Sequence, residues 1–129
     1  MTEATILVVE DNERNLKLVR DVLQYAGFDV VAAESAERGI ELALQCPPDL
    51  ILMDLQLPGM DGIQAMHQLR MSSRTSAVPI VAVTAQAMKD DRRLALDAGF
   101  DGYIEKPISV PSLPKQVRGF LLHDEEDST

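Results

Sequence analysis

Leu50-Ile51-Leu52-Met53 runs without a polar interruption into Asp54, and Leu55-Gln56-Leu57-Pro58-Gly59 follows. Pro47-Pro48-Asp49 closes the run on one side and Pro58-Gly59 on the other. An apolar run this short, bounded by turn formers, reads as a strand buried on both faces, and such strands suit the middle of a parallel sheet. Asp54 then stands where the strand leaves the core, at its carboxyl end. In open α/β sheets that edge collects ligands and chemistry. A carboxylate there is half shielded yet reachable, which makes Asp54 a candidate nucleophile.

The same alternation extends along the chain. Thr5-Ile6-Leu7-Val8-Val9 is a second buried-strand candidate, ending at Glu10-Asp11-Asn12. Helical spacing follows, with Leu16, Val19, Leu23 and Ala26 on one stripe, Asn12 as N-cap and Gly27 as the stop. Phe28 to Ala33 reads as a short strand. Ser35 caps a second helix carrying Ile40, Ala43 and Leu44, ended by Pro47-Pro48. After the Asp54 strand and a loop to Asp61, a third helix points Ile63, Met66 and Leu69 inward. Val78 to Val83 is the fourth strand, ending at Thr84. A helix from about Ala87 to Ala98 is closed by Gly99. Tyr103-Ile104 lies in a fifth strand ending at Glu105-Lys106-Pro107. A last helix reaches Leu122, and His123 to Thr129 forms an acidic tail read as a solvated, disordered end. Five strands alternating with five helices mean a parallel sheet with helices on both faces. The expected division is one domain over 1–122 and a tail over 123–129.

Composition narrows the function. The 129 residues suffice for one domain with one core. No apolar run approaches the ~20 residues that span a bilayer, and no basic segment precedes the first strand as in a signal peptide. One cysteine, Cys46, forms no internal disulfide, which fits a reducing cytoplasm. Twelve basic against 21 acidic residues leave a net charge of −9, which disfavours nucleic acid and favours cations or basic partner surfaces.

The strand ends bring one set of groups to a single sheet edge. The first strand supplies Glu10 and Asp11, the third Asp54, the fourth Thr84 and the fifth Lys106. If the strand order is 2-1-3-4-5, the first and third strands are neighbours and the acid pair lies beside Asp54. From Thr5 to about Leu122 the chain resembles the receiver domain of two-component response regulators. The resemblance is carried by Val8-Val9-Glu10-Asp11-Asn12, by Ile51-Leu52-Met53-Asp54 with Pro58-Gly59-Met60-Asp61-Gly62, by Val83-Thr84-Ala85, and by Tyr103-Ile104-Glu105-Lys106-Pro107. It implies the flavodoxin-like order 2-1-3-4-5.

Three carboxylates brought close together repel. At about 4 Å and an effective dielectric of about 20, each pair costs roughly 4 kcal/mol. One Lys106 does not neutralise three, so either a carboxyl is protonated or a cation binds. Oxygen ligands suit a small, hard cation, Mg²⁺. The resemblance implies that Asp11 and Asp54 ligate it directly, that Glu10 acts through water, and that the backbone carbonyl of Gln56 completes the protein ligands. It further implies that Asp54 accepts a phosphoryl group from a histidine kinase or phosphotransfer protein. Lys106 and Thr84 then hold phosphate oxygens, Tyr103 swings inward, and the Lys106-Pro107 peptide is cis. The face formed by the fourth helix, fifth strand and fifth helix is expected to meet a downstream protein.

On this reading the chain is a stand-alone, cytoplasmic signalling receiver, a monomer or weak homodimer. It is not an enzyme beyond its own phosphorylation and dephosphorylation. It resembles single-domain regulators of bacterial cell fate and motility and the receivers of hybrid kinases. An aspartyl-nucleophile phosphohydrolase is the rival. Those enzymes usually carry a second Asp two residues after the nucleophile, where this chain has Gln56. A degenerate receiver that only binds partners is a third reading, opposed by the intact set of residues. Gln56 and Gln86 flank the site and are expected to tune hydrolysis. Cys46 is expected to pack, and His67 and His123 to face solvent. Pro111 and Pro114 predict a last helix that is kinked, or short from Pro114 to Leu122.

Overall fold

Among the described residues, the alternation of apolar runs and helical stripes folds into five strands and five helices. The computed structural model describes residues 4–84 and 89–127. In chain order these are β1 (Thr5–Val9), α1 (Glu13–Tyr25), β2 (Asp29–Ala33), α2 (Ala36–Gln45), β3 (Leu50–Asp54), α3 (Gly62–Met71), β4 (Ile80–Thr84), α4 (Lys89–Ala98), β5 (Gly102–Glu105) and α5 (Leu113–Asp127). All pairings are parallel, in the order β2-β1-β3-β4-β5.

The register decides what meets at the carboxyl edge. Val9 lies opposite Met53, Asp54 opposite Val83, and Thr84 opposite Glu105. The residues after β1 and β5 and the last residues of β3 and β4 therefore share that edge. β3 is buried throughout, as its uninterrupted apolar run requires. Alternate side chains serve two separate layers. Leu7, Val9, Ile51, Met53, Ile80 and Ala82 pack with α2, α3 and α4. Ile6, Val8, Leu50, Leu52, Val81 and Val83 pack with α1 and α5.

The caps follow the chemistry of the chain. Asn12 Oδ1 accepts from the N–H groups of Arg14 and Asn15, which starts α1 beside the site. Asp61 Oδ1 accepts from Gln64 N at 2.9 Å while Gln64 Oε1 accepts from Asp61 N at 3.3 Å, a reciprocal box that starts α3. Gly62 lies so close to the end of β3 that a Cβ there would stand 2.6 Å from the Asp54 carbonyl oxygen.

Several local expectations are corrected. Ile63 is 37% exposed, because Gly62, Ala65, Met66 and Leu69 form the inward stripe of α3. Cys46 is exposed as the C-cap of α2 and does not pack inward. β4 begins at Ile80, since Val78 N closes a turn onto Thr75 O and Pro79 has no N–H to offer. The last helix begins at Leu113, with Leu113 N bonded to Ser109 O, and Pro114 falls in the first turn, where its missing N–H leaves no bond unmade. That helix is not short. It runs to Asp127, so most of the expected acidic tail from His123 continues it, and no glycine or proline after Gly119 stops it. Residues 85–88, including the expected helix start at Ala87, the motif residue Ala85 and the flanking Gln86, lie outside the described residues, as do 128–129.

Candidate functional site

Glu10 follows β1, and its side chain turns into the sheet edge, leaving the residue 5% exposed. Asp54 ends β3 and is 3% exposed. Asp11, one residue further along, faces solvent. One carboxylate oxygen from each of the three lies within 4.8 Å of the other two. The expected convergence of acids is therefore present.

Lys106 reaches the cluster from the end of β5. Its Nζ lies 2.7 Å from Glu10 Oε1 and 3.2 Å from Asp54 Oδ2. Its backbone N–H donates to Thr84 O at 2.8 Å, which ties the lysine to the end of β4. The peptide from Lys106 to Pro107 is cis. Thr84 itself is buried, 3% exposed, at the carboxyl end of β4. Tyr103 is half-buried on β5 and packs against the layer that holds Met66, Ala95 and Phe100.

Two backbone donors orient the acids, and the motif pattern alone does not reveal them. Gln56 N donates to Asp54 Oδ1 at 2.9 Å. Asn12 N donates to Glu10 Oε2 at 3.3 Å. Each is an N–H two residues after its carboxylate; for Asp54 this is the local turn that Asp side chains readily make, so there the spacing is the available signal. Gln56 thus has its amide fixed to the acceptor and its side chain exposed.

The electrostatics match this crowding. Burial pushes the Glu10 carboxyl from its ordinary 4.5 up to about 7. The hydrogen bond and negative charge of Asp54 push the same way, while Lys106 and the Asn12 N–H pull it back. For Lys106, burial favours the neutral amine, but the hydrogen bond to Glu10 and the negative charges of Asp54 and Glu10 outweigh it. The ammonium is held above its usual range. Among the described residues one cation, Lys106, is paired within this cluster of three acids, which leaves net negative charge in a pocket lined with oxygen donors. That donor set fits a hard divalent cation.

The family model for the response regulator receiver domain matches residues 6–118. The chain belongs to the response regulator receiver family. A curated relative, the polar-differentiation response regulator DivK of Brucella ovis, is 38% identical over 117 residues, covering 91% of this chain and 95% of DivK. Among solved structures, the receiver domain of the sensor histidine kinase PA1611 of Pseudomonas aeruginosa superimposes with a TM-score of 0.84 at 32% identity, covering 92% of this chain and 97% of that one. That structure has a magnesium ion coordinated in its active site cleft. The chemotaxis protein CheY4 of Vibrio cholerae gives a TM-score of 0.85 at 26% identity, covering 91% of this chain and 98% of that one. These likenesses support a receiver and not an aspartyl phosphohydrolase. Every site residue expected of the receiver lies among the described residues: Glu10, Asp11, Asp54, Gln56, Thr84, Tyr103 and Lys106. No helix among the described residues is long and apolar enough to cross a membrane.

Proposed function

We propose that this receiver accepts a phosphoryl group on Asp54 and thereby changes its affinity for a protein partner. The observation that carries the reading is the meeting of Glu10, Asp11 and Asp54 with Lys106 at one sheet edge. The donor is a histidine kinase or a phosphotransfer protein. An Asp54 carboxylate oxygen attacks phosphorus, the phosphorus–nitrogen bond of the donor's phosphohistidine breaks, and its electron pair stays on the imidazole, which takes up a proton. The product is an acyl phosphate on Asp54.

Mg²⁺ would be held by Asp11 and Asp54, by Glu10 through water, and by the Gln56 carbonyl. When bound it supplies positive charge against the phosphate oxygens. The chain's own residues do the rest. The Gln56 N–H holds Oδ1 of Asp54. Lys106, already paired with Oδ2, supplies a point charge for a phosphate oxygen. Thr84 presents a hydroxyl from the end of β4. The acyl phosphate carries about −1.5 to −2 charges where the carboxylate carried one, a net gain of about half to one negative charge, and it extends further from the sheet edge. Thr84 and Tyr103 then favour one of two pre-existing arrangements of α4, β5 and α5, the face that meets the partner.

The span of 95% of DivK supports a stand-alone role. We place that role in the cytoplasm. The test is incubation with Mg²⁺ and a small acyl-phosphate donor. One phosphoryl mass should appear on the wild type and be absent from Asp54→Asn; equal labelling of both ends the proposal.

A further inference from the structure

The two outer strands of the sheet are not alike. β5 is four residues long, ends in Glu105, and has the Phe120 ring against the place of a Cβ at Gly102. β2 runs Asp29-Val30-Val31-Ala32-Ala33, in unbroken register with β1 over all five residues. Charges, proline and bulges keep an outer strand from pairing with another chain. In β2 the one charge stands at the first residue, and there is no proline or bulge.

Two hydrogen bonds fix which backbone groups of β2 face outward. Asp29 N donates to Ala4 O at 2.9 Å, and Ala33 O accepts from Glu10 N at 3.0 Å, both on the β1 side. A strand repeats every two residues, so Asp29, Val31 and Ala33 turn their N–H and C=O groups to β1, and Val30 and Ala32 turn theirs outward. Among the described residues no strand lies on that outer side. Val31 pairs with Leu7, on the face of the sheet that packs with α2, yet it is 36% exposed. Beside it lies a cavity of about 160 Å³, lined by Leu7, Leu42, Ala43 and Cys46 among others.

We propose that β2 is a self-association edge, through which two copies of this chain join antiparallel about a two-fold axis at Val31. The inference does not depend on the reading of Asp54. The outward groups select the register. With the axis at Val31, Val30 falls opposite Ala32 of the second copy, and Ala32 opposite its Val30. Those are the residues whose N–H and C=O groups point outward, and each such pair exchanges two hydrogen bonds. An axis at Val30 or at Ala32 leaves one such pair within the strand. An axis between residues sets outward groups against inward ones. The two Val31 side chains then meet in a non-hydrogen-bonded pair, the closer antiparallel arrangement, and cover each other beside the cavity.

Charge does not oppose this register. Asp29 falls opposite Ala33 of the second copy, and the two Asp29 residues stand about 13 Å apart along the strands, beyond the Debye length of about 8 Å at physiological ionic strength. The net charge of −9 on each copy keeps the association weak and makes it strengthen with salt. In the joined sheet the two β5 strands are outermost, roughly 43 Å apart at about 4.8 Å per strand. The carboxyl edges of the two copies point in opposite directions. Both acidic clusters and both faces formed by α4, β5 and α5 therefore stay open.

The test is sedimentation velocity of the full chain from micromolar to millimolar concentration, with backbone amide shifts followed over the same series. The wild type should pass from monomer to dimer, more readily at high salt, with shifts centred on Asp29–Ala33 and none at Gly102–Glu105. Val31→Lys and Val31→Glu each set like charges against one another across the axis, and each alone should dimerise about tenfold more weakly or worse. Mixed in equal amounts they should recover as a heterodimer, because opposite charges then face each other. The wild-type shift series decides the question if either variant does not fold. A wild type that stays monomeric over the whole range overturns the proposal. So does a Val31→Lys protein that dimerises as well as the wild type, and so do shifts centred on Gly102–Glu105, which put the contact on the other outer strand. A mixture no more associated than its components takes Val31 off the axis and overturns the register.

Discussion

Glu10 makes the metal-free protein's stability depend on pH in a direction opposite to that of an ordinary paired carboxylate. Its carboxyl is nearly buried, and burial together with Asp54 raises it from 4.5 to about 7. A group raised on folding binds its proton more tightly in the native state. Its contribution is complete below pH 4.5 and lost as pH rises through about 7. At about 1.4 kcal/mol per pH unit, the span from 4.5 to about 7 amounts to about 3 kcal/mol. For a chain of this size that is about 10 °C in Tm. The perturbation is Glu10→Gln, which keeps the shape and removes the titration. Denaturant unfolding in chelator, from pH 4.5 to 8, should show the wild type losing about 3 kcal/mol relative to Glu10→Gln. Comparing the two proteins cancels the remaining titrating groups. At pH 8, millimolar Mg²⁺ should close most of the gap, because a cation favours the ionised carboxylate. Parallel pH profiles for the two proteins would refute the account of this acid as buried and crowded.

Further expectations concern the pocket and its scaffold. Lys106→Met removes the cation that lies between Glu10 and Asp54, so Mg²⁺ should bind severalfold more tightly by calorimetry, while metal-free stability falls by about 2–4 kcal/mol. Asn12→Ala removes the acceptor for two N–H groups of α1 and should cost about 1 kcal/mol in urea unfolding. Leu52→Ala leaves a hole in the layer under α1 and α5 and should cost about 3 kcal/mol in the same assay. Gly102→Ala drives a methyl into the Phe120 ring at its Cε1 and should cost about 1–3 kcal/mol. Phe120→Leu in the same chain should recover part of it; no recovery would show that the ring is not what the methyl meets.

The strand framework is legible in the sequence because β1, β3 and β4 are buried on both faces and carry little but apolar side chains until their ends. Asp54, Glu10, Asp11, Thr84 and Lys106 stand out for a related reason: each lies at or just past the end of such a run. The stripe of α3 differs by one position from the expected one. Ile63 is the more hydrophobic residue, but Gly62 is the one that must approach the Asp54 peptide, and close approach leaves no periodic signature. The true end of α5 is hidden because an acidic, polar segment reads alike as a frayed tail or an exposed helix. The pairing of Lys106 with Glu10 and that of Arg70 with Asp101 join residues far apart in sequence. Such pairings depend on register and side-chain reach, which no local pattern encodes. Residue type alone argues for a packed Cys46, whereas its place at the end of α2, before Pro47-Pro48, turns it outward.

Among the described residues the buried apolar side chains form two clusters on opposite faces of the sheet. α1 is seated on one cluster and α4 on the other, while Tyr103 shares a groove at the β5 edge with Gln116 and Phe120 of α5. The sheet thus partitions two compartments, and the face formed by α4, β5 and α5 draws one helix from each, so that a change in either compartment is felt at that face.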